Sequence, residues 1–339
     1  MISESITALL SERYRWLVTG AAGFIGSNLV EALLMAGQEV VGLDDFSSGH
    51  LRNLELVREV VATHIDDFSL VRGDIRDRTA CLNAMRGVDF VLHHAAVASV
   101  PLSIEQPALV HEINVAGTVC VFEAARACGV RRVVYASSSA VYGDLQALPQ
   151  MEEEIGRPLS PYGATKRINE IDGDLYSNVF GLETLGLRYF NVFGPRQDPK
   201  GAYAAVIPRW IESVVRKEPL TVYGQFGISR DFCFIGDVVR ANVTAAVRPG
   251  VIGGQVFNIA SGRETTLGSL FDAIRDTARK QGIAYDLEPR IEPARAGDIE
   301  RSVAAVEKAR AVLGFVAEKQ LEEGLGPTVS YYSRAVGRS

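Results

Sequence analysis

The sequence predicts an α/β protein: a doubly wound parallel sheet followed by a smaller C-terminal α/β domain. Three observations predict it. In the first half, short β-branched runs alternate with longer segments whose apolar residues recur at helical spacing, as in parallel strands joined by crossover helices. A glycine run directly follows the first of these strands and opens the first helix. After Arg188 the rhythm breaks: Gly194, Pro195, Pro199, Gly201 and Pro208 crowd together, and the later segments are shorter and more mixed.

Strands are expected at Arg15 to Thr19, Glu39 to Leu43, Ser69 to Val71, Phe90 to His93, Arg132 to Ala136 and Thr184 to Arg188. Helices are expected at Phe24 to Ala36, His111 to Cys128 and Pro161 to Phe180. Phe232 to Ile235 and Val256 to Ile259 read as strands again, so the chain is expected to cross back to the sheet. This assigns residues 1–190 and about 232–260 to a dinucleotide-binding domain, and about 191–231 with 261–339 to the smaller domain. No internal repeat interrupts the pattern.

Composition narrows the possibilities. With 47% hydrophobic and 22% charged residues over 339 positions, the chain has a globular composition, not a disordered one. A net charge of -6 gives no basic field for a polyphosphate backbone, so no nucleic-acid partner is expected. Cys81, Cys120, Cys128 and Cys233 form no CxxC pair, so neither a metal site nor a disulfide framework is expected. No uninterrupted apolar run reaches the roughly 18 residues of a membrane span. The first dozen residues carry Glu4 and Glu12 where a leader would have a basic start and an apolar core. The expectation is a cytoplasmic protein with no membrane partner.

Gly20, Gly23 and Gly26 form G-x-x-G-x-x-G between the first strand and the first helix. Glycine permits a tight turn with close backbone approach, and the helix N-terminus offers free N–H groups to a pyrophosphate. Asp44 ends the second strand at the distance from the glycines where a carboxylate meets an adenosine ribose. Such a carboxylate accepts bonds from two hydroxyls and repels a 2′-phosphate, which favours NAD over NADP. The blander reading is that Asp44 and Asp45 begin a turn. Asp74 stands similarly after the third strand, either at the adenine edge or as an exposed loop residue.

Tyr162 and Lys166 lie four apart on one helix face, where an ammonium can lower a phenol's pKa. Ser137, Ser138 and Ser139 follow a strand at the carboxyl edge, where open α/β sheets bind ligands. One of these hydroxyls shares a substrate proton with Tyr162, or the three merely cap the next element.

These residues resemble the extended short-chain dehydrogenase/reductases, from Leu17 to about Gly314. The glycine run, Asp44, Gly73 with Asp74, His94 to Ala96, Asn114, the serines, Tyr162 with Lys166, and Arg188 to Asn191 carry the likeness. It implies a Rossmann-type NAD site built from Gly20, Gly23, Phe24, Ile25, Gly26, Asp44, Asp74, Ile75, His94, Ala95, Ala96, Asn114, Tyr162 and Lys166. Aligning Tyr142 and Gly143 with the family's Tyr-Gly makes Ser138 the catalytic serine, Tyr162 the proton acceptor and Lys166 a further ligand of the nicotinamide ribose.

Within that family the chain is most similar to nucleotide-sugar 4-epimerases, above all those acting on UDP-N-acetylhexosamines. The resemblance implies that Ser138, Ser139, Tyr162, Asn191, Arg230, Arg295 and Asp298 meet the substrate, with Ala205, Val206 and Tyr223 on the uridine side. It also implies that Ser302, fourth after Asp298, walls the sugar's 2-position, where relatives restricted to plain sugars carry tyrosine. Related dehydratases place an Asp/Glu pair beside the catalytic hydroxyl residue, whereas this chain has Ser139, Ala140 and Val141. A UDP-glucose or UDP-glucuronate 4-epimerase, a keto-sugar reductase and a non-catalytic NAD-binding protein are the competing readings. A homodimer through two helices, including His111 to Cys128, is the implied assembly.

Overall fold

The structure is a computed structural model that describes residues 2–200, 204–294 and 299–337. Seven strands form one parallel sheet: β1 (Arg15–Thr19), β2 (Glu39–Asp44), β3 (Phe68–Arg72), β4 (Phe90–His93), β5 (Arg132–Ser138), β6 (Thr184–Tyr189) and β7 (Gln255–Ile259). Their spatial order is β7-β6-β5-β4-β1-β2-β3. The chain leaves β1 toward β2 and β3, then returns to place β4 on the other side of β1. Loops after β1 and β4 therefore diverge at the carboxyl edge and open a crevice there.

Successive strand side chains alternate between the faces, and each face is buried. Trp16, Val18, Val40, Leu92 and Val134 belong to one apolar cluster, and Leu17, Val41, Val91 and Val133 to another. The first cluster runs on without a break into Trp210, Ile211, Leu270, Ile274, Leu325 and Val329 of the later helices Val206–Arg216, Leu267–Lys280 and Leu321–Gly337. Cys81 and Cys233 are buried within these clusters and all four cysteines are free, in keeping with their apolar reading.

Three helices position the site: α1 (Phe24–Met35), α2 (Pro107–Cys128) and α3 (Pro161–Phe180). The termini of α3 follow from its sequence. Ser160 accepts the Gly163 N–H at 3.1 Å, Pro161 occupies the first turn, and Gly181 ends the helix with φ of 72°. The crossover helix α2 begins earlier than the apolar pattern suggested and contains a π-type turn at Glu112–Ala116. By length and mean composition alone it is apolar enough to cross a membrane, although Glu112, Glu123 and Arg126 interrupt its apolar residues. Its Asn114, Thr118, Val121, Phe122 and Ala125 are buried as it crosses from β4 to β5.

The return to the sheet differs from expectation in one element. Gln255–Ile259 pairs with β6, whereas only Cys233–Phe234 of the segment Phe232 to Ile235 is extended, and it pairs with Val192–Phe193 outside the main sheet. From Ile235 the chain is helical to Val247. An apolar run of four residues does not separate strand from buried helix, and here the helix packs under β4, β5 and β6.

Candidate active site

A cavity of about 550 Å³ opens at the carboxyl edge of the sheet. Its glycine wall is dictated by close approach. Gly20 has φ of +67°, and a Cβ on Gly26 would stand 2.0 Å from the Gly20 carbonyl oxygen. The first intrahelical bond of α1 is Ser27 N to Gly23 O, so the N–H groups of Phe24, Ile25 and Gly26 precede it at the cavity wall. This is a cradle for a pyrophosphate.

Asp44 is buried and organises the turn around it. One carboxylate oxygen accepts the Ala22 N–H and the other the Phe46 N–H, both at 2.8 Å. Burial raises its pKa, and these two bonds oppose the rise. Each oxygen keeps acceptor capacity for a ribose hydroxyl. Asp74 lines the same end, but Arg76 grips its carboxylate through Nε and Nη2 and lowers its pKa.

Between these walls runs a hydrogen-bond chain that sequence reasoning did not find. Thr118 spends its hydroxyl proton on the Asn114 carbonyl at 2.6 Å, so His93 Nε2 donates to Thr118 at 3.1 Å. His93 Nδ1 then accepts from Thr19 at 2.7 Å, and Thr19 Oγ1 accepts the N–H groups of His94 and Ala95. Burial drives His93 down to about 3 and His94 to about 4, so both imidazoles are neutral. The chain fixes the His94–Ala96 loop against Gly20, leaving those three residues on the cavity wall.

Ser138 accepts the Ala140 N–H at 3.1 Å, and its hydroxyl stands near enough to Tyr162 to lower that phenol's pKa. The capping reading and the catalytic reading thus fall on one residue. Gly163 lets α3 approach the turn after β5 closely: a Cβ there would meet the Ala140 carbonyl oxygen at 2.7 Å. Lys166 Nζ donates to the Ala136 carbonyl at 2.9 Å and lies 5.9 Å from the Tyr162 ring centre. Burial lowers Lys166 to about 8 and raises the Tyr162 phenol, with the Ser138 hydroxyl opposing that rise. The expected lowering of Tyr162 by its lysine is therefore not seen: burial sets the direction, and Ser138 rather than Lys166 opposes it. Strand alternation sends Ser137 the other way, where it donates to Glu170 at 2.6 Å in a buried network with Arg188.

Not every anticipated residue reaches the cavity. Asn114 is spent on Val97, donating to its carbonyl at 3.0 Å and accepting its N–H at 2.8 Å, and it lies behind the wall. Asn191 and Ala205 do line the cavity. Val206, Tyr223 and Arg230 do not: Val206 begins a helix, the Arg209 guanidinium lies over the Tyr223 ring, and Arg230 donates to the Ser229 carbonyl. Ser302 is buried, with its hydroxyl on the Gln150 side-chain oxygen at 3.3 Å, so it neither faces solvent nor lines the cavity. Arg295 and Asp298 lie outside the described residues. The walls also include the loop from Ser47 to His50, Asn53, and Arg196 to Asp198. The one signal for the last three was the break in rhythm after Arg188.

A glycine turn at a helix N-terminus, a buried carboxylate ending the second strand and a Ser/Tyr/Lys set on one crevice define a dinucleotide-dependent enzyme of the extended short-chain dehydrogenase/reductase class. Residues 16–260 match the model of the NAD dependent epimerase/dehydratase family, and the chain belongs to that family. NAD is its cofactor. The chain is 40% identical to the UDP-glucose 4-epimerase of Mycolicibacterium smegmatis, covering 94% of this chain and 98% of the relative. Among solved structures, a UDP-N-acetylglucosamine 4-epimerase from Methanobrevibacter ruminantium, in complex with UDP-N-acetylmuramic acid, matches with a TM-score of 0.88. It is 32% identical and covers 97% of this chain and 100% of its own. The UDP-glucose 4-epimerase of Thermus thermophilus, in complex with NAD, matches with a TM-score of 0.80 at 34% identity, covering 94% and 98%.

Proposed function

We propose that the chain is an NAD-dependent UDP-sugar 4-epimerase whose preferred substrates are UDP-N-acetylhexosamines. The observation that carries the reaction type is the single acid–base centre at β5. The carboxylates of the cavity wall are Asp44, Asp45, Asp74 and Asp198. The first three follow β2 and β3, and Asp198 is bonded to His50 of the loop after β2. Three strand spacings, roughly 14 Å, separate β2 from β5. No second acid among the described wall residues stands beside Ser138 and Tyr162 to drive elimination.

Bound NAD, held by the Gly20–Gly26 turn and Asp44, supplies the acceptor for the C4 hydride and its return. Tyr162 takes the C4 hydroxyl proton, and the neighbouring Ser138 hydroxyl shares it. Lys166 places its ammonium near the phenol and stabilises the tyrosinate. The same Tyr162 returns the proton to a transient 4-keto sugar presented by its other face. The described wall arginine, Arg196, is paired with Glu31, which speaks against a uronate substrate.

Small side chains at Ser139 and Ala205 on the cavity wall support the acetylated sugars. UDP-glucose and UDP-galactose are the second reading, favoured by the hydrogen bond that ties Ser302 to Gln150. Incubating the protein with each nucleotide sugar and resolving the products tests both. The expected outcome is C4 epimers, no net absorbance change at 340 nm and faster turnover of UDP-GlcNAc. Stoichiometric NADH or an accumulating keto-sugar overturns epimerisation, and faster UDP-glucose turnover overturns the substrate choice.

A homodimer belongs to the same proposal. Ile171, Leu175 and Val179 form an exposed apolar stripe on α3, and Ile104 in the short helix Val100–Glu105 and Leu109 at the start of α2 are also exposed. Such a patch fits a helix-to-helix interface.

A further inference from the structure

Arg196 combines features that neither the epimerase chemistry nor the glycine cradle explains. Its backbone adopts φ of +70°, a conformation that costs a non-glycine residue energy and is retained where surroundings demand it. Its side chain is buried along α1: Nε donates to Ser27 Oγ at 3.1 Å, and Nη1 pairs with Glu31 at 2.5 Å. Asn28 of the same helix donates to the Pro195 carbonyl at 3.2 Å. The loop from Gly194 to Asp198 is thus fastened to the helix whose first turn presents Phe24, Ile25 and Gly26 to the cavity.

The third guanidinium nitrogen, Nη2, is buried and has no partner among the described residues, although Arg196 belongs to the cavity wall. A buried N–H without an acceptor is costly, so a site of this kind is expected to find its acceptor in a ligand. The contact on Ser27 puts the guanidinium about one helical turn, roughly 5 Å, from the free N–H groups of α1. We propose that Arg196 is a cation of the dinucleotide site, with Nη2 completing the recognition of the NAD diphosphate that the α1 N-terminus begins. Its other two nitrogens hold the guanidinium to α1, so little side-chain freedom remains to be lost on binding.

The holoenzyme tests this through the rate at which bound NAD is lost into a large excess of a trapping dehydrogenase, at low and high salt. Arg196→Gln is expected to release NAD at least tenfold faster and to flatten the salt dependence, while UDP binding to the NAD-loaded protein changes by less than twofold. Arg196→Lys, which keeps the charge without the planar fork, is expected to fall between. Glu31→Gln separates ligand contact from mere bracing: it breaks the tie between loop and helix but leaves the cation. Glu31→Gln is therefore expected to retain NAD at least as well as the parent. Equal NAD loss in Glu31→Gln and Arg196→Gln shows bracing alone and overturns the proposal. So does unchanged NAD retention in a folded Arg196→Gln protein, or a defect confined to UDP binding.

Discussion

Replacing Gly26 by alanine tests whether the turn after β1 is built for close backbone approach or only for flexibility. The new Cβ would lie 2.0 Å from the Gly20 carbonyl oxygen and 2.7 Å from its carbon. Both neighbours are backbone, so no side-chain rotation relieves the overlap. Turn and helix must separate by roughly 1 Å to restore ordinary contact. Overpacking of this kind typically costs about 1 to 3 kcal/mol, or roughly 2–4 °C of melting temperature per kcal/mol in a domain of this size. The effect on the site is larger, because a misplacement of about 1 Å typically costs about 10²-fold. Gly23→Ala is the internal control. Its Cβ would meet the same oxygen at 3.2 Å, and the backbone at Gly23, with φ of -76°, suits alanine. The assay is the molar ratio of NAD released by heat from purified protein, with thermal melts alongside. Gly26→Ala is expected to lose nearly all its NAD and Gly23→Ala to stay within tenfold of the parent. Full NAD content in Gly26→Ala, or equal loss in both proteins, would refute the steric argument.

Further tests address the rest of the site. Tyr162→Phe removes the proton acceptor and little volume, so turnover should fall about 10² to 10⁴-fold with NAD content unchanged; a loss under tenfold contradicts the role. His93 and His94 have folded pKa values below the roughly 6.5 of the unfolded chain, so they leave stability untouched above that pH. As pH falls through 6.5 the unfolded chain takes up protons that the folded chain refuses, and stability is lost down to about pH 4 for His94 and about 3 for His93. The slope is about 1.4 kcal/mol per pH unit for each residue, and His94→Gln should remove its share in urea titrations at about pH 7, 6 and 5. An unchanged slope would mean that His94 does not titrate differently on folding. Ser302→Tyr must fit a ring into a buried position beside Gln150, so it should destabilise the fold, and it slows acetylated substrates more than plain ones only if Ser302 walls the sugar's 2-position as the family resemblance implies. Equal losses on both would place the gate elsewhere.

What depends on short range is legible in the chain before it folds. Most strand and helix periodicities, the Gly20–Gly26 turn and the one-turn spacing of Tyr162 and Lys166 are local properties of the backbone, and these stand where the pattern put them, apart from the earlier start of α2. The choice of Ser138 over Ser137 came from alignment, and strand alternation at the end of β5 supplies its physical reason. Other features exist only once distant segments meet. Whether Phe232 to Ile235 becomes strand or helix depends on what packs beneath it. Asn114 carries the family's mark, yet Val97 claims its side chain, and Gln150 claims Ser302. The Tyr162 phenol rises where helix spacing alone argued that it falls, because burial is a property of the whole fold. Arg196 was one arginine in a loop until folding laid it along α1, since spacing in sequence carries no information about which helix a distant loop will touch.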